Sequence, residues 1–499
     1  MNNTLILIIL NLVGKIFSFI REMIFSFYYG TGPITDAFNT STTAATLIFS
    51  VITYALSKTY IPTYNEVIKK GGEESGDQFT NNLLNFSLFI TTIIMILGFA
   101  FAPAIVKLFA AGYTGEKLKI SSSFMRAIIL TIYPNIYAAI FSAYLQIKGD
   151  FLTPALPLII LNIILAITVA ISNGNVTIMT LGIFLAYFIQ FIIFPRAIKK
   201  TGFKRGKIKF SFDENVKKII ILSLPTTFSM AAVYVSTIVD QSFASLVAPD
   251  GGVSVINYAL KILRIVSSTF IVPFQVTAYP IIGKLVADKD VNGMKDLTSK
   301  TLVKIMLLFI PSIIGMMVLA EPIISFVYYR GEFTYNDMII TSQVLFTYTL
   351  YLIGPAIVDL LYLSFFSHQN TKIPTVISFV QLGINIILDY TLSMKYGLVG
   401  LAMATTLSQL SSVLMAFIMY KRTFGNLSYK YILKNIGKIL IAGLALGIFA
   451  NYFYQIRPSN LWLLVTIAFA GLIYVGLIYL LKVDEFDDIK NALIKRKRK

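Results

Sequence analysis

Nearly every long stretch of this 499-residue chain is apolar enough to enter a lipid bilayer. A helix needs about 20 apolar residues to span the hydrocarbon. Runs of that length follow one another here, and the polar intervals are too short for a separate soluble domain. Only 13% of residues are charged and mean hydropathy is +0.76, where an ordinary soluble domain is about a quarter charged. The pattern therefore predicts an all-α polytopic membrane protein. The first segment has no small-residue cleavage site after it and reads as a retained helix.

Hydropathy predicts fourteen transmembrane helices, starting near Thr4, Asp36, Thr80, Ser122, Thr153, Val176, Val216, Val253, Thr301, Tyr335, Ile373, Leu398, Ile436 and Asn460. An even number leaves both termini on one side. Lys and Arg concentrate in the loops of that side, so the termini are expected in the cytoplasm. The interval Arg196–Lys218 alone carries nine basic residues, and the chain ends "KRKRK". The net charge of +18 is thus read as topology determinants and contacts to anionic membrane lipids, and no nucleic-acid partner is expected.

The chain also repeats. "YIPTYNEVIKKGG" returns as "AYPIIGKLVADKD", "FAPAIVKLFAAGYTGE" as "LAEPIISFVYYRGEFT", and "IKGDFLTPALPLIILNIIL" as "SHQNTKIPTVISFVQLGINIIL". Prolines at 62/280, 103/322 and 154/374 set the offsets at 218, 219 and 220. Helices one to six then pair with seven to twelve. A duplicated six-helix unit keeps its orientation, and carriers built this way hold substrate between their halves near the midplane. The expected organisation is a first lobe at 1–200, a basic cytoplasmic linker at 201–218, a second lobe at 219–424, two added helices at 425–483 and a basic cytoplasmic tail at 484–499.

The first helix carries charge where an anchor carries none. Asn11, Lys15, Ser18 and Glu22 share one face at helical spacing, with Arg21 beside them. The eighth helix carries Lys261 and Arg264, three apart. Ion pairs between helices, such as Glu22 with Arg264, are one explanation. Cations outnumber acids on these two helices, however, and unpaired buried cations are not kept for packing alone. A wet cavity awaiting an anionic ligand accounts for the surplus, and a pyrophosphate head group suits it.

Three acids lie in later apolar helices: Asp240, Asp359 and Asp389. Asn385 and Asp389 are four apart, as are Thr405 and the carbonyl of Leu401, so hard oxygen ligands for a small alkali cation recur on two adjacent helices. A protonated or hydrogen-bonded Asp389 is the alternative. Asp359 and Glu321 read as structural, with Glu321 marking a helix start before Pro322.

Cysteine is absent and His368 is the only histidine, which removes disulfides, thiolate metal sites and histidine catalysis. No G-x-x-x-x-G-K-[ST] occurs, so ATP hydrolysis is not expected. The chain is expected not to be an enzyme. A glycosyltransferase or ligase for lipid carriers would need catalytic acids on long external loops, which are missing. A non-transporting scaffold would leave the intramembrane charges without use.

"FSFIREMIFSFYYGTGPITDAF" resembles the opening of the MurJ/MviN family of lipid II flippases, in the multidrug/oligosaccharidyl-lipid/polysaccharide exporter superfamily. "DQSFASLV…SVINYALKILR", "VYYRGEFT" and "FFSHQNTKIP" resemble its later signatures. The resemblance covers helices one to twelve and implies a V-shaped, bilobed, fourteen-helix fold. It implies that Lys15, Arg21 and Lys261 stand at cavity positions, with Glu22, Asp36 and Arg264 in the same substrate-binding set. It also implies a sodium site at Asp240, Asn385, Asp389, Leu401 and Thr405, the ion being the only cofactor expected. The expected activity is alternating-access translocation of undecaprenyl-pyrophosphate-linked saccharide, lipid II above all, across a bacterial cytoplasmic membrane by a monomer, driven by sodium or membrane potential. The second helix lacks the arginine pair and the acid–glycine seen in many members, and lysine replaces arginine at two cavity positions. Another lipid-linked oligosaccharide therefore stands as the alternative cargo, and a cation-coupled drug exporter as the second alternative.

Overall fold

The computed structural model describes residues 3–206 and 212–486. The "KRKRK" tail and part of the basic linker lie outside the described residues, as does the Asn11 side chain. Every regular element among the described residues is helical. This is what lipid requires of chains whose backbone groups must be satisfied within each segment. Ten stretches are long and apolar enough to cross a membrane.

The chain divides into two compact units, residues 1–254 with 330–334, and residues 255–329 with 335–499. The first holds α1 (Asn3–Tyr29), α2 (Pro33–Ala100), α3 (Ala102–Phe109), α4 (Gly115–Leu130), α5 (Ile132–Ile147), α6 (Leu156–Ser172), α7 (Val176–Phe188), α8 (Gln190–Lys200) and α9 (Glu214–Val247). Within it α1 packs on α6, α6 on α7, and α2 on α4, α5 and α9. The seventh apolar segment, α9, thus packs in the first unit.

The second unit holds nearly all of α10 (Gly252–Ala287), then α11 (Val291–Val318), α12 (Ala320–Tyr328), α13 (Tyr335–Tyr348), α14 (Ile353–Ser367), α15 (Lys372–Phe424), α16 (Tyr429–Ile456) and α17 (Asn460–Leu480). Here α11 packs on α16 and α16 on α17. Gly443 and Gly447 allow that close approach: a Cβ at either would press within 2.8 Å or 2.7 Å of Ile314. Tyr474 on α17 donates to the Leu307 carbonyl at 2.6 Å, and Lys304 pairs with the buried Glu485 at 2.8 Å. The two added helices are thereby fastened to α11.

Two elements are hairpins rather than rods. The expected starts at Asp36 and Thr80 both fall within α2, and those at Ile373 and Leu398 within α15. In α2 the reversal is at Gly72 (φ 76°), and Tyr60 meets Thr80 at 2.8 Å, although twenty helical residues would separate them by about 30 Å. In α15 it is at Gly397 (φ 60°), and a Cβ on Gly400 would stand 2.0 Å from the Leu392 carbonyl oxygen. Glycine provides the left-handed φ at both turns.

The elements repeat at the spacing of the sequence repeat. The eight-residue α3 and the nine-residue α12 each begin with a proline in the first turn. The break at Thr131 between α4 and α5 corresponds to a 3-10 turn at Thr349–Leu352. The loops after α3 and α12 also make matching contacts inside the first unit. Gly112 donates to Ser245 Oγ at 3.0 Å near the end of α9, and Glu332 donates to the Phe27 carbonyl at 2.9 Å near the end of α1. A Cβ on Gly112 or Gly331 would lie 2.1 Å from the carbonyl oxygen of Ser245 or Phe27 respectively. Each repeat therefore grips the end of the other repeat's first helix.

Candidate functional site

On α1, Lys15 is exposed, and Arg21 pairs with its neighbour Glu22. The Arg21 side chain is 19% exposed and that of Glu22 8%. The pair neutralises part of the charge predicted for this face. It leaves the Arg21 Nε buried and without a hydrogen-bond partner, and a buried unsatisfied donor costs about 1–3 kcal/mol. An acceptor arriving from a ligand would remove that cost.

In the second unit, α10 carries Lys261, half-buried, with its ammonium 5.2 Å from the ring centre of Tyr258. Tyr258 is itself fully buried and packs against Tyr328 at 4.6 Å. The aromatic face steadies the cation. Arg264, one turn on, is exposed.

Asp36 opens α2 and is fully buried. Its Oδ2 accepts from Lys117 Nζ at 2.6 Å and Gly251 N at 2.8 Å; its Oδ1 accepts from Ser254 N at 2.8 Å and Ser254 Oγ at 2.6 Å. Both oxygens are thus committed to protein donors. Lys117 also donates to the Pro249 carbonyl, lies 3.5 Å from Asp250 and sits 4.4 Å from the Tyr113 ring centre. Three segments distant in sequence, at 36, 113–117 and 249–254, meet at this one ion pair. Sequence reasoning missed Lys117, which lies in the first turn of α4, ahead of the helix start expected near Ser122.

The expected ion ligands fall in two places. Asp240 is half-buried on α9 in the first unit, whereas Asn385, Asp389, Leu401 and Thr405 all lie on α15. Those four are buried. Asp389 and Thr405 each stand eight residues from Gly397, so they lie at matching depth on the two arms. Asn385 Nδ2 donates to Asp389 Oδ1 at 3.2 Å, and Thr405 Oγ1 donates to the Leu401 carbonyl at 3.1 Å. A carboxylate, an amide, a hydroxyl and a carbonyl, all shielded from water, form a donor set that fits a small hard cation. Binding it would need the Asn385 amide turned so that its oxygen faces inward. No group of three His, Cys, Asp or Glu residues able to hold a metal occurs among the described residues.

His368 ends α14, with Nδ1 2.9 Å from the Ser364 carbonyl and its ring against Phe424. Glu321 lies in the first turn of α12. Neither takes part in these arrangements.

An all-helical, multi-pass chain with ionic side chains inside apolar helices belongs to the class of polytopic membrane carriers. Known proteins narrow that class. The profile described as "MurJ: Lipid II flippase MurJ" matches residues 25–472. The chain is 27% identical over 472 residues to the lipid II flippase MurJ of Thermosipho africanus, covering 93% of this chain and 92% of that protein. It is 25% identical over 433 residues to a probable lipid II flippase MurJ of Buchnera aphidicola, covering 83% and 81%. Among solved structures, a lipid II flippase MurJ in an inward closed conformation superposes with a TM-score of 0.81 at 26% identity, covering 95% of this chain and 98% of that one. An inward-facing multidrug MATE transporter of the MOP superfamily shares the fold, at TM-score 0.67 and 16% identity over 82% and 94% of the two chains. The chain belongs to the MurJ lipid II flippase family. It is accordingly a transport protein and not an enzyme.

Proposed function

We propose that this protein moves lipid II, a saccharide carried on undecaprenyl pyrophosphate, across a bacterial cytoplasmic membrane. The observation that carries the reading is the family match over residues 25–472. The chemistry supports it: Arg21 has a buried Nε donor without a hydrogen-bond partner, and Lys261 brings a second cation into an apolar helix, beside the Tyr258 ring. In the first unit Lys15 and Arg21 would bind diphosphate oxygens, with Glu22 orienting the Arg21 guanidinium; in the second unit Lys261 and Arg264 offer cations of the kind such an anion takes. Asp36 serves the same site indirectly, by fixing the start of α2 through Lys117. Cations suit an anionic cargo and disfavour the cationic drugs an exporter of that kind would carry.

The proposed crossings number fourteen: α2 and α15 as two each, α4 with α5, α7 with α8 and α13 with α14 as one each, and α1, α6, α9, α10, α11, α16 and α17, the short α3 and α12 being left out. Both termini would be cytoplasmic, with six-helix lobes at 1–200 and 219–424 and a monomer as the working unit. The lobes alternate access. A ligand biases such an equilibrium only through unequal affinity for its states. Asp389, Asn385, Thr405 and the Leu401 carbonyl, all on α15 of the second unit, would hold a sodium ion, whose charge would offset that of the buried Asp389 carboxylate.

The test is complementation: the native flippase is depleted in a bacterial host, this protein is expressed, and lipid II exposed on the outer face is measured. Restored exposure and growth are expected. Growth failure with normal membrane levels would transfer the assignment to another undecaprenyl-linked oligosaccharide.

A further inference from the structure

A cavity of about 220 Å3 opens in the first unit, and no residue of α1 lines it. Leu84 and Leu88 of α2, Ile136 and Tyr137 of α5, and Phe191 of α8 form its apolar wall, and Arg205 of the basic linker stands at its mouth. Residues 84 to 88 begin the arm of α2 that leaves the polar turn at Gly72. The wall thus descends from the polar end of that arm into its apolar stretch, with the cation at the head.

Arg205 is built into place. Its Nη1 donates to Asn81 Oδ1 at 2.9 Å and its Nη2 to Asn85 Oδ1 at 2.8 Å. The same Asn81 oxygen accepts from Gly206 N at 2.9 Å, and Asn81 Nδ2 donates to the Lys204 carbonyl at 2.9 Å. Phe203 packs on Phe141 and Tyr144, at 5.5 and 5.3 Å between ring centres. Both clasping residues are neutral amides, and no carboxylate pairs with Arg205 among the described residues. A guanidinium has five N–H donors; two are committed here, which leaves three for an incoming anion.

We propose that this cavity is a binding site for an anionic membrane glycerophospholipid. The phosphodiester caps Arg205, and the upper part of one acyl chain lies along Leu84, Leu88, Ile136 and Phe191. An amphiphile matches the site because charge and oil are needed at adjoining points, in the order in which a bilayer presents them. Basic residues close to Arg205 in sequence, Arg196, Lys199, Lys200 and Lys204, would raise the local concentration of anionic lipid. The lipid would act as a wedge holding the linker against α2, α5 and α8. The inference is independent of the cargo assignment, because it concerns only retention of bulk lipid.

The test uses the full-length protein, delipidated in detergent and exchanged into vesicles of dioleoyl phosphatidylglycerol mixed equally with dioleoyl phosphatidylcholine. Lipid retained after re-extraction is quantified by native mass spectrometry. The wild type should retain phosphatidylglycerol over phosphatidylcholine by about fivefold, the preference one cation near the surface provides. Arg205→Gln should bring the ratio close to unity, and Arg205→Lys should keep part of it. Leu88→Trp, which fills the wall and leaves the cation intact, should lower retention of both lipids. An unchanged preference in Arg205→Gln, or unchanged retention in Leu88→Trp, overturns the proposal. So does displacement of the lipid by millimolar inorganic phosphate, which would make the site a simple anion pocket. If Arg205→Gln does not fold, Leu88→Trp decides the question.

Discussion

At the scale of single residues, the buried charges fall into two kinds. Both Asp36 oxygens accept hydrogen bonds, and Lys117 is its cationic partner among the described residues. Removing one member of a buried pair strands the other charge, at about 3–5 kcal/mol. Lys117→Met should therefore lower the thermal midpoint sharply, and Asp36→Asn added to it should recover part of the loss. A double-mutant cycle in detergent measures this; additive losses would mean that the two side chains do not depend on each other.

Arg21 is the other kind, with Nε left open. Arg21→Ala should abolish lipid II exposure in the complementation assay while membrane levels stay normal. A fall in level to match the fall in activity would mark Arg21 as structural. The proposed sodium site is tested at Asp389. At a sodium concentration ten times the dissociation constant, binding to the folded form should add about 1.4 kcal/mol of stability. Asp389→Ala should eliminate the sodium-dependent rise in midpoint, with potassium as the control salt.

At the scale of elements, the two hairpins make a quantitative contrast. Gly397 has a left-handed backbone with open space where a Cβ would go, so Gly397→Ala should cost only the backbone term of about 1–2 kcal/mol. Gly400 is helical, but a methyl there would collide with the Leu392 backbone. Gly400→Ala should cost about 3 kcal/mol or more, because backbone cannot step aside as a side chain can. Thermal midpoints of the two variants decide the order. The hairpin also sets Asp389 and Thr405 at one depth, so loss of that geometry should carry the sodium response with it.

Capping shows how far local sequence reaches at this scale. Asn175, Asp213 and Ser459 each accept from backbone N–H groups two or three residues ahead, and so open α7, α9 and α17. These starts could be read from the residues themselves. The fusion of two expected segments into α2, and of two into α15, could not. It depends on glycine turns tight enough for helical hydrogen bonding to resume at once.

At the scale of the whole molecule, the duplication is physical as well as textual. The loop of each repeat closes on the end of the other repeat's first helix, at Ser245 and at Phe27. Such reciprocal contacts make the two repeats mutually dependent within the first unit. The family to which the chain belongs is one of lipid II flippases.

The sequence by itself determined that the chain is helical and membrane-spanning, that it is duplicated at an offset near 219, and which side chains bring charge into lipid. All three follow from composition and spacing, which are properties of a line. Tertiary structure alone decided that Lys117 answers Asp36 across 81 residues, that Ser254 answers it across 218, and that Arg205 is clasped by asparagines more than a hundred residues earlier. Electrostatic partners depend on which helix faces meet and how deeply they are buried. Those are properties of the packed chain, since helical periodicity states which residues share a face but not what that face will touch.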